Sequence, residues 1–250
     1  MAKLKSILKI EGTLDELTFY KTKDGHFVKT KSGVSGSRIA NDPAFARTRE
    51  NGSEFGTAAV AGKLVRTAMR NLMANASDGK VTSRLTQVMR QMMVYDATSN
   101  RGERNLGVAI ADPTAQAMLN GFNFNINANM STVMSKPFKV DTTTGVIDIA
   151  GFVPVNDLAY PSGATHVTFT SGFIRVDFAN SLFETVISNA VNLSIDNTVT
   201  AVKLTPAGGA PKLIGTSIFA LEIEFSQIVN GNQYPLSNGA FNCLSLVGVV

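Results

Sequence analysis

The spacing of apolar residues changes once along this chain, and that change constrains the fold more than any other feature. Between Glu54 and Ala97 they recur every three to four positions, whereas from Phe122 they recur every second position in short runs. A period near 3.6 buries one stripe of a helix, and a period of two buries one face of a strand. The pattern predicts an α+β protein with its helices ahead of its antiparallel strands.

In the first long helix, Glu54–Ala76, the stripe comprises Ala61, Leu64, Val65, Ala68, Met69, Leu72, Met73 and Ala76, with Lys63, Arg66 and Arg70 on the other side. The second, Lys80–Ala97, turns Val81, Leu85, Val88, Met89, Met92 and Tyr95 inward and Arg84, Gln87 and Gln91 outward. The short turn between them, Asn75–Gly79, implies an antiparallel helical hairpin. Two Asp-Pro pairs predict further helix starts, because Asp accepts from free N–H groups and Pro at the first position has none to satisfy. Asp42-Pro43 opens a helix over Pro43–Glu50 that stops at Asn51-Gly52, where Ser53 caps the next. Asp112-Pro113 opens another, closed by Asn120-Gly121.

Ahead of the helices, Leu17–Tyr20 and His26–Val28 flank Lys23-Asp24-Gly25 and predict a β-hairpin with Asp24-Gly25 at the centre of its turn. Ser6–Glu11 offers a third strand, and Gly33–Asn41 reads as a loop. From Phe122 onward the runs Phe122–Ile126, Lys139–Asp141, Val146–Ile149, Thr165–Phe169, Phe173–Phe178, Val191–Ile195, Val199–Leu204, Ile218–Phe225 and Leu244–Val249 predict strands. Ser181–Asn189 fits a helix or an irregular strand. Short strands divided by Gly, Pro and Asn clusters indicate an antiparallel β-sandwich or open barrel, of which the sandwich is the expectation carried forward. The texture therefore divides the chain into residues 1–120, a β-hairpin plus helical region, and 121–250, a sandwich domain.

Charge follows the same division. Residues 1–110 hold 18 Lys and Arg against 10 Asp and Glu, and residues 111–250 hold 5 against 9. Opposite signs make head-to-tail contact between copies electrostatically favourable. Hydrophobic residues make up 44% of the chain, enough for a substantial core. Charged residues reach only 17%, below the usual quarter, with Ser, Thr, Asn and Gly in their place. No run approaches the ~20 apolar residues of a membrane helix, and the N-terminal apolar stretch is short for a signal sequence. A single cysteine, Cys243, excludes an internal disulfide. Together these place the chain in the cytoplasm, or in a particle assembled there, with no membrane partner.

No residue pattern in the chain points to catalytic chemistry. His26 and His166 belong to no metal-ligand spacing, and Gly-x-Ser-x-Gly is absent. Cys243 lies in an apolar run that raises a thiol pKa. Gly33-Val34-Ser35-Gly36 lacks the Gly-Lys-Ser/Thr of a phosphate loop. Glu222 and Glu224 share one strand face, read as the solvent face opposite Leu221, Ile223 and Phe225. The sequence thus predicts no enzyme, no catalytic, cofactor-binding or metal residues, and no cofactor. Its candidate contacts are Lys63, Arg66, Arg70 and Arg84, for nucleic acid held weakly and without sequence preference or for another partner. The apolar tail, Leu246, Val247, Val249 and Val250, is the candidate assembly contact, with the N-terminal hairpin edges as its complement.

The segments GTLDELTFYKTKDGHFVKTK (residues 12–31) and SRIANDPAFARTRENGSEFG (residues 37–56) resemble the start of small cytosolic proteins of unassigned function found as paralogues in Bacteroidota. The resemblance covers about the first 75 residues, implies a bacterial or phage-associated origin and carries no activity. The function read from the sequence is a non-enzymatic structural protein that self-associates into a filament, shell or phage-like particle, its partners being copies of itself. The alternative is a soluble binding module, using its basic helical face for nucleic acid or its sandwich loops for a ligand.

Overall fold

The computed structural model describes residues 2–3, 10–30, 33–236 and 239–250. The chain forms two compact units, Met1–Arg49 and Glu50–Val250.

In the N-terminal unit, β1 (Ala2–Lys3), β2 (Gly12–Leu14), β3 (Leu17–Thr22) and β4 (Gly25–Thr30) form an antiparallel sheet in the order β1-β4-β3-β2. The hairpin expected around Asp24 is β3–β4. Its turn lies one residue earlier than expected: Thr22 pairs with Gly25, leaving Lys23-Asp24 as the loop. Thr22 Oγ1 accepts from the Asp24 N–H at 3.2 Å, and Gly25 starts the return strand at φ +124°, where a Cβ is disfavoured. Of the third strand expected over Ser6–Glu11, residues 6–9 lie outside the described residues, and β2 begins at Gly12. The stretch read as a loop contains a short helix, α1 (Gly36–Asn41), because the Ser35 hydroxyl caps it by accepting from the Arg38 N–H. Asp42 caps a 3-10 turn, Pro43–Phe45, as its Asp-Pro pair requires.

The helix start expected at Ser53 does not exist. Helix α2 (Ala46–Ala68) runs straight through Asn51-Gly52. Propensity is a weak prior, and here contacts with a later loop override it: Asn51 Oδ1 accepts from Arg101, and the Glu54 carboxylate accepts from the Gly102 N–H at 2.9 Å. At the other end α2 stops eight residues short of Ala76, with the Ala68 carbonyl accepting from Thr185 Oγ1 at 2.8 Å. Met69, Leu72 and Ala76 nevertheless stay buried in the irregular segment that follows. Helix α3 (Val81–Met92) matches its stripe, except that Tyr95, expected inside, is exposed. Helices α4 (Leu106–Ala109) and α5 (Pro113–Leu119) follow, the latter capped by Asp112 through Thr114 N–H as expected, and α6 (Met130–Val133) closes the helical part.

The strands continue as β5 (Lys139–Val140) and β6 (Ile147–Phe152); after the short α7 (Pro154–Asp157) come β7 (His166–Asp177), β8 (Leu182–Ile187), β9 (Val191–Ser194), β10 (Thr200–Leu204), β11 (Thr216–Val229), β12 (Asn232–Pro235) and β13 (Cys243–Val249). Long central strands β7 and β11 pair antiparallel from Thr216↔Val176 to Ser226↔His166. Each outer edge of the pair carries two short strands: β13 and β12 along β11, β8 and β9 along β7. The two runs expected over 165–178 are one strand because the pairing with β11 runs unbroken through Gly172, over which the Leu72 side chain packs. Phe122–Ile126 is not a strand; it lies along β13 through Phe124 N–H to Leu244 O and Leu246 N–H to Phe122 O.

Alternation along β7 and β11 divides the interior. Ile174, Val176, Ile218 and Ala220 face the helices, joined by Val65, Leu85, Met89 and Phe124. Val167, Phe169, Leu221, Ile223 and Phe225 face the second sheet, β10-β6-β5, meeting Ile147, Ile149, Phe152, Val202 and Leu204. The β-sandwich of the sequence is thus the rear half of a helix–sheet–sheet stack. The boundary expected at residue 121 is accordingly not a division of the core: residues from Ala58 to Phe124 share one cluster with Ile174, Ile218 and Leu246.

Candidate functional site

The structure brings together three of the four basic candidates. Lys63, Arg66 and Arg70 line a shallow concavity of about 540 Å³ with Thr67, Met73 and Ala74. Arg66 is partly engaged, its Nε donating to the Gly62 carbonyl at 3.3 Å. Arg84 is not part of this ridge. Its guanidinium pairs with Asp78, donates to the Asn123 carbonyl at 2.7 Å and the Phe124 carbonyl at 3.1 Å, and stacks over Phe122 at 5.1 Å. A guanidinium so engaged fastens α3 to the segment that lies along β13, and it is turned inward, away from the exposed ridge.

The tail residues are also placed differently from the expectation. Strand β13 pairs with β11, from Ile218↔Val249 to Ile223↔Cys243, so its partner is a central strand of the large sheet. Leu246 is fully buried and Val249 nearly so, and Ser217 and Val250 exchange backbone hydrogen bonds at 2.7 and 2.9 Å. Of the four, only Val247, half-buried, and Val250, half-exposed, present surface.

Glu222 and Glu224 require a correction. They lie on the face of β11 that carries Ala220 and turns toward the helical layer, not on a solvent face. Glu222 is only 8% exposed. Burial, reinforced by the neighbouring Glu224 carboxylate, pushes its pKa up to about 8. Glu224 is also raised by burial, offset in part by Asn75 Nδ2, which donates to its Oε1 at 2.8 Å. The apolar partners Leu221, Ile223 and Phe225 signalled an outward pair, but a central strand buried on both faces has no outward side. Cys243 is buried and its thiol pushed up to about 12 by burial, and it lies 3.9 Å from Met130 Sδ.

His166 meets hydroxyls only: Ser194 Oγ at 3.2 Å from Nε2 and Thr165 Oγ1 at 3.0 Å from Nδ1. Thr165 Oγ1 also accepts from the Ile228 N–H, so it ties the imidazole to strand β11. Among the described residues no group of three or more His, Cys, Asp or Glu is placed to hold a metal.

Two features escaped the sequence. The first is the exposed apolar face of the N-terminal sheet. Residues that pair across a ladder share a face, so Leu14↔Leu17 and Phe19↔Val28 form one apolar patch. None of the described residues up to Arg49 is buried, and Leu14 and Leu17 are 65% and 43% exposed. The second is a concavity of about 380 Å³ beside α2 and α3 where Arg90, Arg101 and Arg104 meet. It is assembled from residues 51 to 104, and only Gln87 and Gln91, read as outward, gave a signal.

No family model matches the chain, and neither a curated protein nor a solved structure is significantly similar to it.

Proposed function

We propose that this chain is a non-enzymatic structural protein that self-associates into a larger body, a filament, shell or phage-like particle, through its N-terminal sheet. One observation carries this reading: a four-stranded sheet with an apolar patch, Leu14, Leu17, Phe19 and Val28, and no buried residue among those described. Strands of this length become stable by covering a hydrophobic face. A second copy is the occupant favoured by charge. Residues 1–49 hold ten Lys and Arg against five Asp and Glu, whereas residues 111–250 hold five against nine. The basic sheet of one subunit therefore meets the acidic part of the next in a head-to-tail contact, which propagates unless its rotation closes a ring. The tail, engaged within its own sheet, has no part in this contact.

Light scattering of the purified protein over a concentration series, with negative-stain microscopy, tests the reading. Particles many times the 26.6 kDa chain mass, dissociating as salt is raised, are expected. A species of 26.6 kDa at every concentration contradicts it.

A further inference from the structure

The concavity between α2, α3 and the loop 96–105 has the makings of an anion site. Helix α3 contributes Arg90, Gln87 and Gln91, successive turns of one face; helix α2 contributes Asn51; the loop contributes Arg101 and Arg104. Two of the three guanidinium groups are uncommitted. Arg101 pairs with Glu50 at 3.4 Å and donates to Asn51 Oδ1 at 3.1 Å. Neither Arg90 nor Arg104 has a hydrogen bond or ion pair among the described residues. Arg104 Nε is buried with no acceptor. A buried donor left unmatched is costly, and a charged one more so, and Arg104 lines a cavity from which a ligand could reach its guanidinium.

The surroundings are rigid. Asp96, at 1% exposure, accepts from the N–H groups of Thr98, Ser99 and Asn105 and from the Thr98 hydroxyl, all at 3.0 to 3.1 Å. These bonds outweigh the burial that opposes its charge and hold its carboxyl far below the usual range. The opposing carboxylate on the wall, Glu54, is tied to the Gly102 N–H. The cavity therefore presents two uncommitted cations and amide donors, with Arg101 paired to Glu50 and Glu54 accepting from the Gly102 N–H.

We infer that this concavity binds the phosphate group of a small ligand. A guanidinium fork matches a phosphate oxygen pair, and arginines stay charged at every relevant pH. A neighbouring concavity of about 490 Å³ shares Asn51, Gln87 and Arg90 and is walled by Phe55, 57% exposed. An aromatic face beside a phosphate site suits the base of a nucleoside phosphate. The phosphate chemistry is common to free phosphate and a nucleotide; Phe55 distinguishes them.

Thermal shift and calorimetric titration of the full chain, at constant ionic strength, use inorganic phosphate, adenosine monophosphate and adenosine as probes. Phosphate is expected to bind and adenosine alone not to. Arg104→Met and Arg90→Met each weaken phosphate binding by about tenfold, the value of one charge-assisted contact, while Lys63→Gln on the separate ridge changes nothing. Adenosine monophosphate binding more tightly than phosphate, with the gain lost in Phe55→Ala, identifies a nucleoside phosphate; equal binding identifies free phosphate. Melting curves establish that the variants fold, and exposed Arg90 carries the test if Arg104→Met does not. Absence of binding by either phosphate probe, or binding unchanged by Arg90→Met and Arg104→Met, overturns the inference.

Discussion

Arg84 and Asp78 form an ion pair at the turn between the two long helical segments, and both also reach the backbone that starts the β-rich half. The Asp78 carboxylate accepts from the Lys80 N–H at 2.6 Å and the Ile126 N–H at 2.9 Å, while Arg84 serves the Asn123 and Phe124 carbonyls. Burial raises the Asp78 pKa, but these bonds outweigh it and leave the carboxyl below its ordinary range. Four backbone groups thus depend on one pair. Arg84→Met is expected to destabilise the fold by about 2–4 kcal/mol, because it takes the cation from a nearly buried carboxylate and the side-chain donor from the Asn123 carbonyl. Lys63→Met, on the exposed ridge, should stay within about 0.5 kcal/mol. Urea melts of the two variants check this, and equal midpoints contradict it.

Stability should fall on both sides of a mildly acidic optimum. Glu222 has a folded pKa near 8 against an ordinary 4.5, so the folded state holds the extra proton between those values. Its contribution is complete below pH 4.5, is lost as pH rises toward 8, and levels off above, a change of ~3–5 kcal/mol. Asp96 acts in the opposite sense: its depressed pKa stabilises the fold above the ordinary 3.8, and that support is lost as pH falls below it. Melting temperatures from pH 3 to 9 should therefore decline steadily above about pH 5. Glu222→Gln should flatten that alkaline limb and leave the acid limb unchanged; parallel profiles contradict the assignment.

Deleting Leu246–Val250 should unfold the protein rather than only change its association. The deletion removes the pairs Ala220↔Leu246 and Ile218↔Val249 from the ladder, and two buried side chains from the helix-facing core. Losses of about 2–5 kcal/mol per large buried side chain approach the whole net stability of a typical domain. Circular dichroism of the truncated chain decides the matter: retention of the wild-type melting temperature contradicts a structural role for this strand.

The parts of the fold legible in the sequence are those where local pattern and final environment agree. Asp42 and Asp112 cap helices as their Asp-Pro pairs require, α3 follows its stripe, and most of the period-two runs are strands. The misread positions are settled by distant residues. Asn51-Gly52 stays helical because Arg101 and Gly102 hold it. Arg84 sits on the polar side of its helix, yet carbonyls some forty residues later enclose it. Glu222 alternates correctly with Leu221 and Ile223, but nothing local says that helices cover its face as well. For the same reason the Arg90, Arg101 and Arg104 concavity was invisible: its walls come from two helices and a loop whose apposition no spacing encodes.

The central claim, that the N-terminal sheet is completed by another copy, is tested most directly by sedimentation velocity of wild type beside the double variant Leu14→Asp, Leu17→Asp. Both leucines are exposed in the single chain, so replacing them removes no side chain from the cores of the 50–250 unit. The account predicts a large species for wild type and a 26.6 kDa monomer for the variant, with circular dichroism showing that the variant is folded. Identical sedimentation of the two proteins contradicts it.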